Sequence, residues 1–454
     1  MIDVLIVGAG ACGLVAALRA NQLGLKVVVL EKAGDLRGDS VLSCGSIPAA
    51  NTRFQRQAGI FDSVELMTAD LSRKAGEHKA THLVRPIVAR SGELVEWLVD
   101  HCGVGINLYT NYKHVGHSVP RLHSQASGSG TELMDSLHAC MKHRNIDLHF
   151  NATVEELLTD ASLAVTGARV RTPRGSHTIS ARKVILASGG FGANTSLLAD
   201  FCPEMAKVLH FGAAANEGDA IYWGRALGAA FGNLGAFQAH AGVLRDGSEL
   251  LTWSICEKGA LYVNPEGRRF TNENRGYSPT GAAMAAQGNA AYVLFDQRMC
   301  EYVAQYQPRF KAMIEAGAAV RGSTVEEVVA AQHAIPAGNL HETLLEFNSA
   351  AAGSSTDRFG RTDFGLAPLQ PPYWLVAVKA ALFHTQGGLM VDASARVMRP
   401  QGENVPHLFA GGGAAVGVSG LTGGEGYVSG NGLLTATVLG YVAAETAARE
   451  IAAC

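Results

Sequence analysis

The chain lacks most of what would commit it to a metal, a membrane or a nucleic acid. Its eight cysteines (Cys12, Cys44, Cys102, Cys140, Cys202, Cys256, Cys300 and Cys454) are scattered, with no C-x-x-C pair. That excludes the usual zinc and iron–sulfur spacings and fits free thiols in a reducing compartment. Long hydrophobic runs are missing, every candidate being broken by Gly or charge, so no segment reads as a membrane span. Charge is sparse and nearly balanced: 37 basic against 40 acidic residues leave a net −3. Such a chain has no general pull towards nucleic acid or an anionic surface. The opening MIDVLIVGAG carries no basic leader and no small-residue cleavage site, so a cytoplasmic location is expected. Repeats and low-complexity tracts are also lacking.

The chain does have length and glycine. At 454 residues, and roughly 150 residues per domain, two or three domains are expected. Many of the 53 glycines follow strand-like runs, where backbone comes close to ligands. Residues 3–7 read as a buried strand, 11–23 as a helix with Leu14, Ala17, Leu18 and Leu23 on one face, and 26–30 (KVVVL) as a second buried strand. Together they make a βαβ unit. Residues 146–151 and 163–171 read as strands of a small antiparallel piece turning at Thr172-Pro-Arg-Gly, and 183–187 as another buried strand. The alternation fails from about 226 to 345, where strands such as 260–263 mix with helices such as 312–318 and 325–332. Strand and glycine patterns then return at 389–392 and 407–410, followed by a long helix over 432–452. The expected organisation is a split first domain (1–225 and 346–454) with 226–345 inserted.

Between the first strand and helix lies Gly8-Ala-Gly-Ala-Cys-Gly13, a G-x-G-x-x-G. Alone the motif is weak, but here Glu31 answers it at the end of the second strand, which makes a dinucleotide fingerprint. Gly8 allows the tight turn, Gly10 admits the pyrophosphate to the amides of Ala11 and Cys12, and Gly13 lets helix and strand pack closely. Glu31 suits a ribose hydroxyl and repels a 2′-phosphate, so NADP is disfavoured. The fingerprint does not separate FAD from NAD.

Three further segments do. Gly38-Asp-Ser-Val-Leu-Ser-Cys-Gly45, Val184-Ile-Leu-Ala-Ser-Gly-Gly-Phe191 and Pro406-His-Leu-Phe-Ala-Gly-Gly412 resemble the flavoprotein family of soluble fumarate reductases and 3-ketosteroid dehydrogenases, over nearly the whole chain. The resemblance implies an α/β fold: a Rossmann-like FAD-binding domain with an inserted α+β cap, and an active site where the two meet. It implies FAD contacts from Lys32, Ser40, Ser43, Gly45, Val154, Ala187, Ser188, Gly189, Asp219, Gly412, Gly432 and Leu433. Relatives with covalent flavin carry a histidine within the segment matching 38–45. This chain has none, so non-covalent FAD is expected. Gly423-Gly-Glu-Gly-Tyr-Val-Ser-Gly-Asn-Gly432 runs into the last helix, whose amides can stabilise negative charge on a reduced flavin.

The same resemblance carries site residues. His240 and Thr252 repeat a His–Thr spacing of the fumarate reductases, and His384-Thr-Gln-Gly-Gly388 repeats their His-Thr-x-Gly-Gly. The charged half is replaced. Trp253 and Cys256 stand where those relatives have Glu and Arg, Tyr277 stands for their proton-donating Arg, and Tyr427 for a carboxylate-clamping Arg. A dicarboxylate needs paired guanidinium forks, so fumarate reduction is disfavoured. Tyrosines at the flavin are what ketosteroid dehydrogenases use. The activity the resemblance implies is therefore α,β-dehydrogenation of a cyclic ketone: Tyr427 or Ser429 binds the carbonyl, Tyr277 moves the proton, and His384 and His240 shape the pocket. The alternative is an ene reductase of an unsaturated ketone or acid, fumarate-reductase-like. Either needs a separate electron acceptor or donor. A non-catalytic electron-passing flavoprotein is a rival of another class, against which stand the two histidines and two tyrosines together. An NAD enzyme is disfavoured because no second G-x-G-x-x-G follows a strand.

Overall fold

The computed structural model describes residues 1–36, 38–111, 113–332 and 335–453. They form two compact units, Met1–Pro203 with His210–Gln238 and Phe383–Cys454, and Glu204–Leu209 with Ala239–Leu382. These boundaries lie later than 226 and 345. They fall within the unbroken strands Gly235–Leu244 and Tyr373–Thr385, so no turn residues mark them, whereas composition changes elsewhere.

The first unit is organised by the apolar run at the start of the chain. Strand β1 (Ile2–Val7) buries Val4, Leu5 and Ile6 completely, because it lies in the middle of a sheet covered on both faces. Helix α1 (Ala11–Gln22) follows, rich in Ala and Leu, which favour helix. Gly24, at φ 83°, turns the chain out of it. Strand β2 (Val27–Leu30) returns parallel to β1. The sheet is completed by β3 (Asp147–His149), β4 (Gly175–Leu186) and β5 (Asn404–Ala410) in the order β5-β4-β1-β2-β3, with Arg396–Met398 on the outer edge of β5. The five central strands are mutually parallel. Val7 pairs with both Leu30 and Leu186, and Leu186 with Ala410, so four carboxyl ends share one edge. Ligands bind outside such an edge in open α/β sheets.

One strand assignment needs correction. Residues 147–149 pair parallel with β2 rather than joining the antiparallel piece. That piece is Thr153–Thr159, Val165–Thr172 and β4. Asn151, at φ 54°, breaks the chain between the two. Helix α2 (Asn431–Ala452) lies against α1 at very short range: a Cβ on Gly440 would come within 2.4 Å of the Cys12 carbonyl oxygen.

The second unit is α+β. Its strands Leu261–Val263, Ala291–Asp296 and Tyr373–Thr385 pair antiparallel, with Val320–Gly322 also on the last. Around them run helices that include Tyr277–Ala285, Pro308–Glu315 (anticipated at 312–318, but started earlier by a proline in its first turn), Val325–Gln332 and Ala337–Ala351. Its core is pinned by a buried ion-pair network: Glu273 accepts from Arg269, Arg361 and the Tyr262 amide, and Asp357 pairs with Arg269. The guanidiniums of Arg269 and Arg361 are thus engaged in the fold. Among the described residues no helix is long and apolar enough to cross a membrane.

Candidate functional site

The fingerprint glycines sit where only glycine fits. A Cβ on Gly8 (φ 105°) would be 2.3 Å from the Ala187 carbonyl oxygen, and one on Gly13 would be 1.9 Å from the Gly8 oxygen. Gly10 faces open space, with only Ser40 Oγ at 3.8 Å, and starts α1 without a side-chain cap. The first amides of α1 are therefore presented to whatever lies above them, where a helix start favours anions. Cys12 is buried behind this turn, which pushes its thiol up to about 12; it packs and does not react.

Glu31 holds the neighbouring turn. Its two carboxylate oxygens accept from the amides of Ala9 (2.8 Å) and Ala33 (2.9 Å). Its own backbone joins β3 and the segment before Val154, through Glu31 N to His149 O and Ala152 N to Glu31 O. Val154 is buried there, paired with Val170. Lys32 is bound to Glu217 and Asp219 at 2.9 and 2.8 Å, so two of the expected cofactor residues, Lys32 and Asp219, pair with each other.

The segment 38–45 is strung between two anchors. Ser40 Oγ accepts from the Ala11 amide at the fingerprint (3.1 Å), and Ser43 Oγ donates to the Ser40 carbonyl while accepting from the Gly45 amide. Asp39, not anticipated, ties this segment to residues 213–216. It accepts from the Ala213 amide (2.7 Å) and Asn216 Nδ2 (2.6 Å), and burial raises its pKa to about 6 against those bonds. On the next strand end Ala187 N donates to Val7 O. Gly189 (φ 75°) leaves no room for a side chain, Asn216 Oδ1 being 2.1 Å from its would-be Cβ. Gly412 (φ 60°) lies against Cys12.

At the start of α2 the expected loop residues converge. Tyr427 Oη is 3.5 Å from His384 Nε2 and 3.4 Å from the Gly432 amide that donates to it, and Leu433 is buried on the following turn. Gln386 Nε2 donates to His384 Nδ1 at 2.8 Å. Burial holds His384 down to about 4, so the imidazole is neutral, and pushes the Tyr427 phenol well above its usual range. Ser429 is fixed by its backbone: its amide donates to Val115 O and its carbonyl accepts from His117 Nε2 at 2.9 Å. His117 in turn abuts Arg121, a fully buried guanidinium bridging Asp62 and Asp70. This support was not anticipated; its signal is Arg121-Leu-His123, a charged and an aromatic residue around the start of a short buried strand.

In the second unit His240 stacks on Tyr277, ring centroids 4.7 Å apart and 17° from parallel, with Trp253 edge-on to both at 5.9 Å. Burial lowers His240 to about 3, and its Nδ1 accepts from the Gly242 amide. The structure thus pairs Tyr427 with His384 and Tyr277 with His240. Thr252 bonds locally, to Ser254 and the Ile255 amide. No cluster of three or more His, Cys, Asp or Glu able to hold a metal occurs among the described residues.

Polar atoms left over around the first unit's edge fit a dinucleotide. Ser188 Oγ, Asn431 Oδ1 and both amide atoms of Gln125 are buried without a protein partner, an expensive arrangement unless a ligand or water meets them. Ser188 and Gln125 adjoin Gly8, Gly189 and Gly45, where neighbouring protein atoms come too close for any side chain.

Comparison with known proteins agrees. The FAD binding domain family model matches residues 3–428. A probable fumarate reductase of Shewanella frigidimarina is 30% identical over 99% of this chain and 75% of its own length. The open conformation of a flavocytochrome c3 fumarate reductase superimposes with a TM-score of 0.81 at 28% identity, covering 99% of this chain and 78% of that one. The 3-ketosteroid delta1-dehydrogenase from Sterolibacterium denitrificans shares the fold, with a TM-score of 0.79 at 22% identity over 99% of each chain. From the fingerprint, its glycine cradle and these matches, the chain belongs to the FAD binding domain family and is an FAD-dependent oxidoreductase acting on carbon–carbon double bonds.

Proposed function

We propose that the enzyme works on a C–C bond conjugated to a neutral carbonyl, in the direction of reducing an enone, rather than on a dicarboxylate. One observation carries the reading: the candidate groups are uncharged at neutral pH. His384 and His240 are held neutral by burial, the Tyr427 phenol keeps its proton, and Trp253 and Tyr277 are aromatic. Such a set offers no fork for a carboxylate pair. A neutral carbonyl can bind it without the desolvation of a doubly charged substrate.

The residues then divide the work. Tyr427 donates to the carbonyl oxygen, beside the first amides of α2, where developing enolate charge is favoured. Tyr277 delivers the proton to carbon. The stack on His240 holds its ring in place for that transfer. The fumarate reductase relatives favour reduction over the desaturation anticipated from sequence. FAD, held by the fingerprint, supplies the hydride chemistry.

The test is anaerobic. Dithionite-reduced holoenzyme is mixed with a cyclic enone, an unsaturated monocarboxylic acid and fumarate, and flavin reoxidation is followed. Fast reoxidation by the enone with fumarate inert is expected. Reoxidation by fumarate sinks the neutral-carbonyl reading. Bleaching of oxidised enzyme by saturated ketones, with no reoxidation by enones, restores the dehydrogenase.

A further inference from the structure

Gln125 follows the short strand Leu122–Ser124 and is almost wholly buried, 1% exposed. Both its amide nitrogen and its amide oxygen lack a protein partner. Its carbonyl accepts from Gly128 N, so the chain anchors the residue while leaving the side chain unmet. A buried amide missing both bonds is costly. It persists in a fold when something else completes it.

Its surroundings say what. The Gln125 oxygen lies 2.5 Å from where a Cβ on Gly45 would stand, and Ser129 O is 2.9 Å from the same point. Gly45 (φ 66°) therefore lets the amide pack directly against the segment 38–45. Gly45 ends the segment whose other anchor, Ser40, sits on the fingerprint amide of Ala11. The adjoining Ser124 hydroxyl donates to Cys44 O, holding segment and strand together. Gln125 thus lies beside Gly45, in the segment that the resemblance assigns to the flavin.

We propose that Gln125 is a flavin-ring contact, its oxygen accepting from the ring imide N–H and its NH₂ donating to an adjacent ring carbonyl. A primary amide presents an acceptor and a donor side by side, and the imide edge of the isoalloxazine presents the complement. A ribityl hydroxyl could satisfy either atom, but it does not offer that fixed pair. The inference rests on FAD binding alone and is independent of the substrate.

The test compares wild type with Gln125→Leu and Gln125→Glu, reading FAD dissociation constant, visible flavin spectrum and flavin reduction potential. Gln125→Leu is expected to weaken FAD binding about ten- to a hundredfold, with a shifted and less structured oxidised-flavin band. Gln125→Glu keeps the side-chain volume, so it carries the test should the leucine variant not fold. Its carboxylate beside the ring is expected to lower the reduction potential. Wild-type affinity and spectrum in both variants would overturn the assignment. Weaker affinity with unchanged spectrum and potential would place the contact on the ribityl chain and overturn the ring assignment equally.

Discussion

His240 lies nearly flat on Tyr277, centroids 4.7 Å apart, and accepts at Nδ1 from the Gly242 amide. The neutral ring therefore carries its proton on Nε2. Tyr277 is held by a partner that contributes shape and polarisability without charge.

Removing only the Tyr277 hydroxyl should separate chemistry from packing. Tyr277→Phe keeps the stack on His240 and the edge contact with Trp253. Turnover of the enone should fall by about 10² to 10⁴, with FAD content and KM little changed. Stopped-flow reoxidation of reduced enzyme measures it, and wild-type rates would remove Tyr277 from the chemistry.

Glu31→Ala removes the acceptor of two turn amides, Ala9 and Ala33, together with the proposed ribose partner. FAD affinity should drop at least about tenfold. Flavin fluorescence quenching on refilled apoprotein reads this directly, and an unchanged affinity would mean that the carboxylate only shapes the turn.

Arg121→Met strips the cation from between Asp62 and Asp70, both fully buried. Among the described residues Asp70 then keeps only Arg73 and Ser118, and Asp62 only neutral donors, so losing the bridging cation should destabilise the protein by about 3–5 kcal/mol, measurable by urea unfolding at pH 7. Burial alone would raise Asp70, but bonds from Ser118 and Arg121 outweigh it and hold its carboxyl well below the usual range. A depressed acid contributes stability above its unfolded value of about 4 and loses it as pH falls towards the folded one. The wild type should therefore weaken below about pH 4, and the variant should show a shallower acid limb.

Asp39 has the opposite sign. Its pKa, raised to about 6 by burial, makes its contribution fullest below the unfolded value of about 4, and stability is lost as pH rises through 6. The change amounts to about 3 kcal/mol. Asp39→Asn should flatten that decline, so that thermal unfolding midpoints of the variant stay level between pH 4 and 7. A wild-type slope in the variant would assign the decline to other groups.

The first βαβ unit was legible because its signals are local: apolar period, three glycines and an acid at fixed distances. Strand 147–149 was misplaced because three residues carry no period of their own, and its partner, β2, is far away in sequence. The antiparallel Thr153–Thr159 escaped notice because its buried residues, such as Val154 and Leu157, are interrupted by exposed glutamates. His384 with Tyr427 and His240 with Tyr277 were named from spacing, but their pairing is a property of the fold. Asp39, Arg121 and Gln125 were invisible in one dimension. A carboxyl raised by burial, a bridged guanidinium and an unmet amide exist only once the chain has closed around them.

The sheet pairs Leu186 with Ala410, residues roughly 220 apart, and α2 closes on α1 through Gly440 and Cys12. During synthesis the ribosome must therefore release nearly the whole chain before the nucleotide cradle exists. Until then β4 has an open edge and α1 a bare apolar flank. Contacts of such long range slow folding and expose sticky surfaces meanwhile. Cofactor loading must then be a late event, and the interval before it is when this chain most needs a chaperone.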